Sequence, residues 1–145
     1  MCFHANEKRP GEFRFLGQHG KLVTALKLVH REGEVRCTAN AAYKSRWGCY
    51  HNPQYINHPL NVIVTDQNNN IIFPDEKYIK NGGLWYYLPH VDALHSDDLV
   101  FTNYANPFYI SKNSSMKIWF GEDLRNRQNS DSGGRVCVDV FAHLQ

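Results

Sequence analysis

The sequence predicts an all-β fold, an antiparallel β-sandwich of jelly-roll type. Three observations lead there. Apolar residues recur with period two in short runs rich in β-branched and aromatic side chains, the pattern of strands with one buried face. Gly, Asn, Pro and Ser punctuate those runs at regular spacing. No segment of helical length carries a sustained i, i+3, i+4, i+7 apolar stripe with capping residues. Short strands separated by turn chemistry are the mark of sandwiches and jelly rolls.

Taken in chain order, Leu22–Val29 and Val35–Thr38 are separated by Arg31-Glu32-Gly33-Glu34, which predicts a hairpin, although Leu22–His30 also fits a short helix on periodicity alone. Leu60, Val62 and Val64 alternate with Asn61 and Thr65. Asp66-Gln67-Asn68-Asn69-Asn70 follows as a turn, and Asn81-Gly82-Gly83 as another before an expected strand over Leu84–Leu88. Leu99–Thr102 and Phe108–Ser111 are further strands, divided by Asn106-Pro107. Lys112-Asn113-Ser114-Ser115 reads as a hairpin turn into a strand where Met116, Ile118 and Phe120 alternate with Lys117 and Trp119. In the last strand Val136, Val138 and Val140 face one way, and Arg135, Cys137, Asp139 and Phe141 the other. Trp85, Tyr87, Phe108 and Tyr109 are assigned to core packing.

The chain has 145 residues, room for one domain over residues 1–145 and a real core. Its 42% hydrophobic and 21% charged residues place it among folded proteins. A net charge of +2 argues against a protein that binds nucleic acid through phosphate charge. Apolar runs reach five or six residues, too short to span a bilayer. Met1-Cys2-Phe3-His4 has no basic flank and no apolar stretch behind it, so no signal peptide is visible. The expected location is nevertheless extracellular.

Cys2, Cys37, Cys49 and Cys137 include no Cys-x-x-Cys pair of the kind structural zinc sites use. Cys37 and Cys49 flank an irregular segment and are the easiest pair to bridge, and a Cys2–Cys137 link would tie the N-terminus to the last strand. Three connectivities stay open, as do free buried thiols. Asn113-Ser114-Ser115 is the one glycosylation sequon.

Enzyme chemistry finds little support. His90 and His95, or His51 and His58, lack the i, i+4 spacing of a helical zinc pair, and no His-x-His occurs. Asp75-Glu76 and Asp97-Asp98 are adjacent pairs that a strand would point to opposite faces. No Gly-x-Ser-x-Gly elbow or phosphate-binding glycine loop is present.

One connection stands apart. Fourteen residues without secondary structure, Gly121 to Gly134, are expected between the last two strands. Asp123 and Asp131 sit near its two ends, with amide and hydroxyl side chains between, a supply of the hard oxygens that calcium takes in sixes to eights. Adjacent strand ends could bring both aspartates to one point.

The stretches Met116-Lys117-Ile118-Trp119-Phe120-Gly121-Glu122-Asp123 and Asp131-Ser132-Gly133-Gly134-Arg135-Val136-Cys137-Val138-Asp139-Val140 resemble the calcium loop of the galactophilic bacterial lectins and of the octocoral galactose/N-acetylgalactosamine lectins. That resemblance implies calcium ligation by Asp123, by Asp131 with Ser130, and by the backbone carbonyl of Arg127. Ser130 stands where the family has an acidic or amide residue, and Asn129 is a rival oxygen one position away. A second stretch, Tyr43-Lys44-Ser45-Arg46-Trp47-Gly48-Cys49-Tyr50-His51-Asn52-Pro53-Gln54, is similar to the family's earlier loop. It implies a carbonyl ligand from Tyr43 and sugar contacts from His51 and Gln54, beside Asp123 and Asp131. The resemblance thus implies a non-catalytic lectin for galactose- or N-acetylgalactosamine-terminated glycans, with calcium chelating the sugar 3,4-diol. A weak single site implies a homo-oligomer acting through avidity. The competing reading is a protein-interaction sandwich whose calcium is structural or absent.

Overall fold

The protein is described by a computed structural model covering residues 1–126 and 132–145. Among the described residues, nine strands form two antiparallel sheets: β1 (Cys2–His4), β2 (Gly11–Arg14), β3 (Lys21–Arg36), β4 (Val62–Asp66), β5 (Ile71–Phe73), β6 (Asp98–Thr102), β7 (Phe108–Ile110), β8 (Ser115–Phe120) and β9 (Gly133–Leu144). One sheet runs β1-β9-β3-β6, with β7 also paired to β3; the other runs β2-β8-β4-β5. The sandwich expected from the period-two runs is the architecture found.

The core lies between the sheets. Phe3, Leu26, Leu28, Leu99, Phe101, Val136 and Val138 pack from one side against Val62, Val64, Phe73, Met116, Ile118 and Phe120 from the other. Trp47, Trp85 and Tyr86 are among the largest fully buried side chains and close one end. Tyr86 donates its hydroxyl to the Val62 carbonyl, and burial holds that phenol well above its ordinary pKa. β4 is buried along nearly its whole length, so Ile63 and Thr65 are covered as fully as Val62 and Val64. Trp119, on the side of β8 opposite Ile118, is buried as well and donates its indole N–H to the Thr65 hydroxyl at 3.2 Å.

Several local expectations need correction. Arg31-Glu32-Gly33-Glu34 makes no hairpin. β3 is one strand of 16 residues whose two halves both pair with β9, with a bulge between His30 and Glu32. Gly33 permits this, because its φ is +86° and an added Cβ would meet the Arg135 carbonyl oxygen at 2.1 Å. Leu84–Leu88 is not a strand. Leu84 has a φ of +67°, and Tyr86 makes only isolated bridges to Leu60 and Ile79. The loss of alternation there buries Trp85 and Tyr86 and leaves Tyr87 51% exposed. Tyr109 is likewise 60% exposed, on the outer side of β7. Asn113 sits at φ +65° in a turn that carries the chain from β7 in one sheet to β8 in the other, not in a hairpin. The stretch after Phe120 opens with a short helix, α1 (Gly121–Arg125), and Gly133 and Gly134 already belong to β9.

Of the connectivities left open by the sequence, the structure has Cys2–Cys137 and Cys37–Cys49. Cys2–Cys137 links paired positions of β1 and β9, and Cys37–Cys49 closes the irregular segment after β3. No helix among the described residues is long and apolar enough to cross a membrane.

Candidate functional site

The site is built where β8 ends. Asn61, fully buried just before β4, joins three segments. Its carbonyl accepts the Gly121 N–H at 2.7 Å, its side-chain oxygen accepts the Glu122 N–H at 3.0 Å, and its side-chain amide donates to the Gly83 carbonyl at 2.8 Å. The first turn of α1 is thereby fixed against the 81–83 turn. Gly121 is required at this junction, since a Cβ there would meet the Asn61 side-chain nitrogen at 2.8 Å.

The 81–83 turn is shaped by Asn81, whose side-chain oxygen accepts the Gly83 N–H at 3.0 Å. Behind it Trp85 stacks on Tyr55 with ring centroids 4.0 Å apart and meets Phe120 edge-on. Tyr55 is set by Asn52, whose backbone carbonyl accepts the Tyr55 N–H and whose side-chain oxygen accepts the Gln54 N–H. Together Gln54, Tyr55, Asn81, Gly82, Gly83, Trp85 and Glu122 line an open cleft of ≈130 Å³. The cleft combines a carboxylate, two carboxamides, aromatic walls and exposed glycine backbone. Glu122 is 2% exposed.

Asp123 faces another way. Its carboxylate is fully buried and accepts the backbone N–H groups of Lys8 at 3.0 Å and Arg9 at 3.2 Å. The Lys8 ammonium donates to the carbonyls of Asp123 and Leu124, satisfying the end of α1. Successive residues of a helical turn point about 100° apart, so Glu122 reaches the cleft and Asp123 the N-terminal turn. Farther on, Ser132 is pinned by Asn6, which donates to its carbonyl at 2.7 Å, and donates its own hydroxyl to the Cys37 carbonyl.

Of the residues named from sequence, Gln54 lies in the cleft. His51, at φ +58°, packs on Tyr50 at 4.0 Å and lines a separate depression with Ile56, Tyr87 and Asp92. The Tyr43 carbonyl accepts the Tyr50 N–H at 3.1 Å. Arg127, Ser130, Asp131 and the rival Asn129 lie outside the described residues. Among the described residues, no three His, Cys, Asp or Glu side chains gather to form a metal cluster. Sequence reasoning passed over Glu122, Asn81, Trp85 and the organising Asn61. Glu122 stood inside the quoted Gly121-Glu122-Asp123 stretch, and a helical turn in place of a loop is what brings it to the cleft.

No protein-family model and no curated protein sequence matches the chain. Among solved structures, "AJLec from the Sea Anemone Anthopleura japonica" superposes with a TM-score of 0.86 at 35% identity, covering 99% of this chain and 92% of that one.

Proposed function

Because the chain belongs to the lectin family of the sea anemone protein AJLec, we propose that it binds glycans at the cleft beside Glu122, taking terminal galactose or N-acetylgalactosamine with the help of calcium. Carbohydrate binding in general follows from the kinship. The observation that carries the choice of site is the cleft lined by Glu122, Gln54, Asn81 and Trp85. Carboxylate and carboxamide groups fix hydroxyls by directional hydrogen bonds.

The cleft's side-chain donors fit calcium in kind: Glu122, Gln54 and Asn81 offer hard oxygens and no sulfur. In this reading Glu122 is the metal-holding carboxylate of the cleft, with Asp131, Ser130 and the Arg127 carbonyl as further ligands, while Asp123 braces the adjoining N-terminal turn through the Lys8 and Arg9 amides. Calcium bound there supplies a Lewis-acidic centre for two vicinal sugar hydroxyls. Gln54, which lines the cleft, orients the sugar. Asn61 holds Glu122 and the 81–83 turn in one geometry before the ligand arrives, which lowers the ordering cost of binding. The reading is of a binder, with no bond made or broken.

Retention on a galactose column and calorimetric titration test it. Chelator is expected to release the protein and added calcium to restore retention; retention unchanged by chelator removes calcium from the proposal. Glu122→Gln is expected to weaken sugar binding at least about tenfold, roughly the loss of one charge-assisted hydrogen bond. Wild-type affinity in that variant would move the site elsewhere.

A further inference from the structure

Asn81 is placed to react with its own backbone. It belongs to the only Asn-Gly pair in the chain. Both residues of the pair are exposed, and both line the cleft. The Asn81 side-chain oxygen is held by two backbone donors, the Gly83 N–H at 3.0 Å and the Trp85 N–H at 3.4 Å. Gly82 has no Cβ to screen its own backbone nitrogen. Among the described residues, the Gly82 N–H donates to no protein acceptor.

These features together favour one reaction. Hydrogen bonds to a carbonyl oxygen draw electron density from its carbon and stabilise the charge that gathers on the oxygen when a nucleophile adds. The nucleophile at hand is the Gly82 nitrogen, once hydroxide has taken its proton. Its attack on the Asn81 side-chain carbon forms a nitrogen–carbon bond. The adduct expels the side-chain nitrogen as ammonia, which takes its extra proton from solvent, and a five-membered cyclic imide remains. Water then opens the ring. Opening at the side-chain carbonyl gives aspartate, and opening at the main-chain carbonyl gives isoaspartate. One water is consumed and one ammonia released, with no oxidant or other co-reactant.

We propose that Asn81 is a site of spontaneous deamidation in the folded protein, and that its conversion to aspartate adds a second carboxylate to the cleft that Glu122 lines. Other exposed asparagines lack a part of this arrangement. Asn113 precedes Ser114, whose N–H is bonded to the Ser111 carbonyl. The Asn69 side-chain oxygen accepts the Lys117 ammonium at 3.1 Å, but the N–H of Asn70, which follows it, is taken up by the Asp66 carboxylate. The conversion does not rest on the glycan reading, whereas its effect on binding rests on the calcium in that reading. An anionic oxygen is a stronger calcium ligand than a carboxamide oxygen. The isoaspartyl form instead lengthens the 81–83 turn that Asn61 clamps at Gly83.

Peptide mapping of the folded wild-type chain, aged in warm, mildly alkaline buffer made with heavy-oxygen water, tests the conversion. The peptide holding Asn81 is expected to exchange its side-chain nitrogen for one heavy oxygen and to split into two isomers on chromatography. Its rate is expected to be no slower than that of a free peptide spanning residues 78–84, while Asn69 and Asn113 stay intact. Gly82→Ala is expected to slow the exchange several-fold. An intact Asn81, a folded rate below that of the free peptide, or equal exchange at Asn69 or Asn113 overturns the proposal. The effect in the cleft is read on Asn81→Asp, titrated with calcium alone by calorimetry. Calcium is expected to bind this variant several-fold more tightly than wild type, and equal affinity overturns the new carboxylate as a group facing the ion. Binding by neither form overturns the calcium reading, which the peptide map keeps separate from the conversion.

Discussion

The side chain of Asn61 uses both its amide donor and its carbonyl acceptor inside the protein, to Gly83 and to Glu122, with no exposure to water. Replacing it by alanine strands the buried Glu122 N–H, at about 1–3 kcal/mol for a buried group left unsatisfied, and leaves the half-buried Gly83 carbonyl to water. Asn61→Ala is therefore expected to lower stability by about 1–3 kcal/mol. It should also weaken sugar binding beyond that of a control destabilised equally elsewhere, because the Glu122 turn and the 81–83 turn lose their common anchor. Urea unfolding alongside calorimetry checks both, and an unchanged urea midpoint would show that Asn61 anchors nothing. Asp123 differs in kind. Its carboxylate holds the Lys8 and Arg9 amides, so substitution there disturbs the N-terminal turn as well as any ligand it shares.

At the scale of elements, β3 and β9 form the longest pair, and glycines at positive φ let them stay together through irregularities. Gly134, at φ +92°, would place a Cβ 2.3 Å from the Glu34 carbonyl oxygen, as Gly33 would against Arg135. The β4–β5 hairpin relies instead on a side chain. The Asp66 carboxylate accepts the N–H groups of Asn68 and Asn70 and the Asn70 side-chain amide. Burial alone would raise its pKa, but the hydrogen bonds from Asn70 and Asn68, with the nearby Lys117 charge, outweigh burial and hold it below the ordinary value. The unfolded chain thus binds the proton more readily than the folded one. Asp66 therefore contributes its full stabilisation above the unfolded pKa of about 3.9 and loses it as pH falls through the lower folded value. Asp66→Ala is expected to cost about 1 kcal/mol near neutral pH. That gap from wild type should shrink on acidification, and a gap independent of pH would rule out the carboxylate as its source.

For the whole molecule, the two disulfides close loops of very different length, with sequence separations of 135 and 12. Loop-closure entropy assigns about 5 kcal/mol to the longer and about 3 kcal/mol to the shorter, both as upper figures. Replacing Cys2 and Cys137 together by serine is expected to lower the unfolding temperature more than replacing Cys37 and Cys49; the reverse order in calorimetry would count against an entropic origin. Two structural disulfides also suit an oxidising, extracellular setting.

The sequence by itself determined the sandwich, because burying one face of a strand requires period two, and Val136, Val138, Met116, Ile118, Val62 and Val64 display it directly. Only the tertiary structure decided what lay beyond local patterning. It joined β3 into one strand through Gly33, turned Leu84 away from extended geometry, and folded Gly121–Arg125 into the helical turn that sends Glu122 and Asp123 in different directions. Each of these rests on partners far away in sequence, namely Arg135, Asn61, Lys8 and Arg9. A pattern read along one strand cannot register a hydrogen bond offered from another.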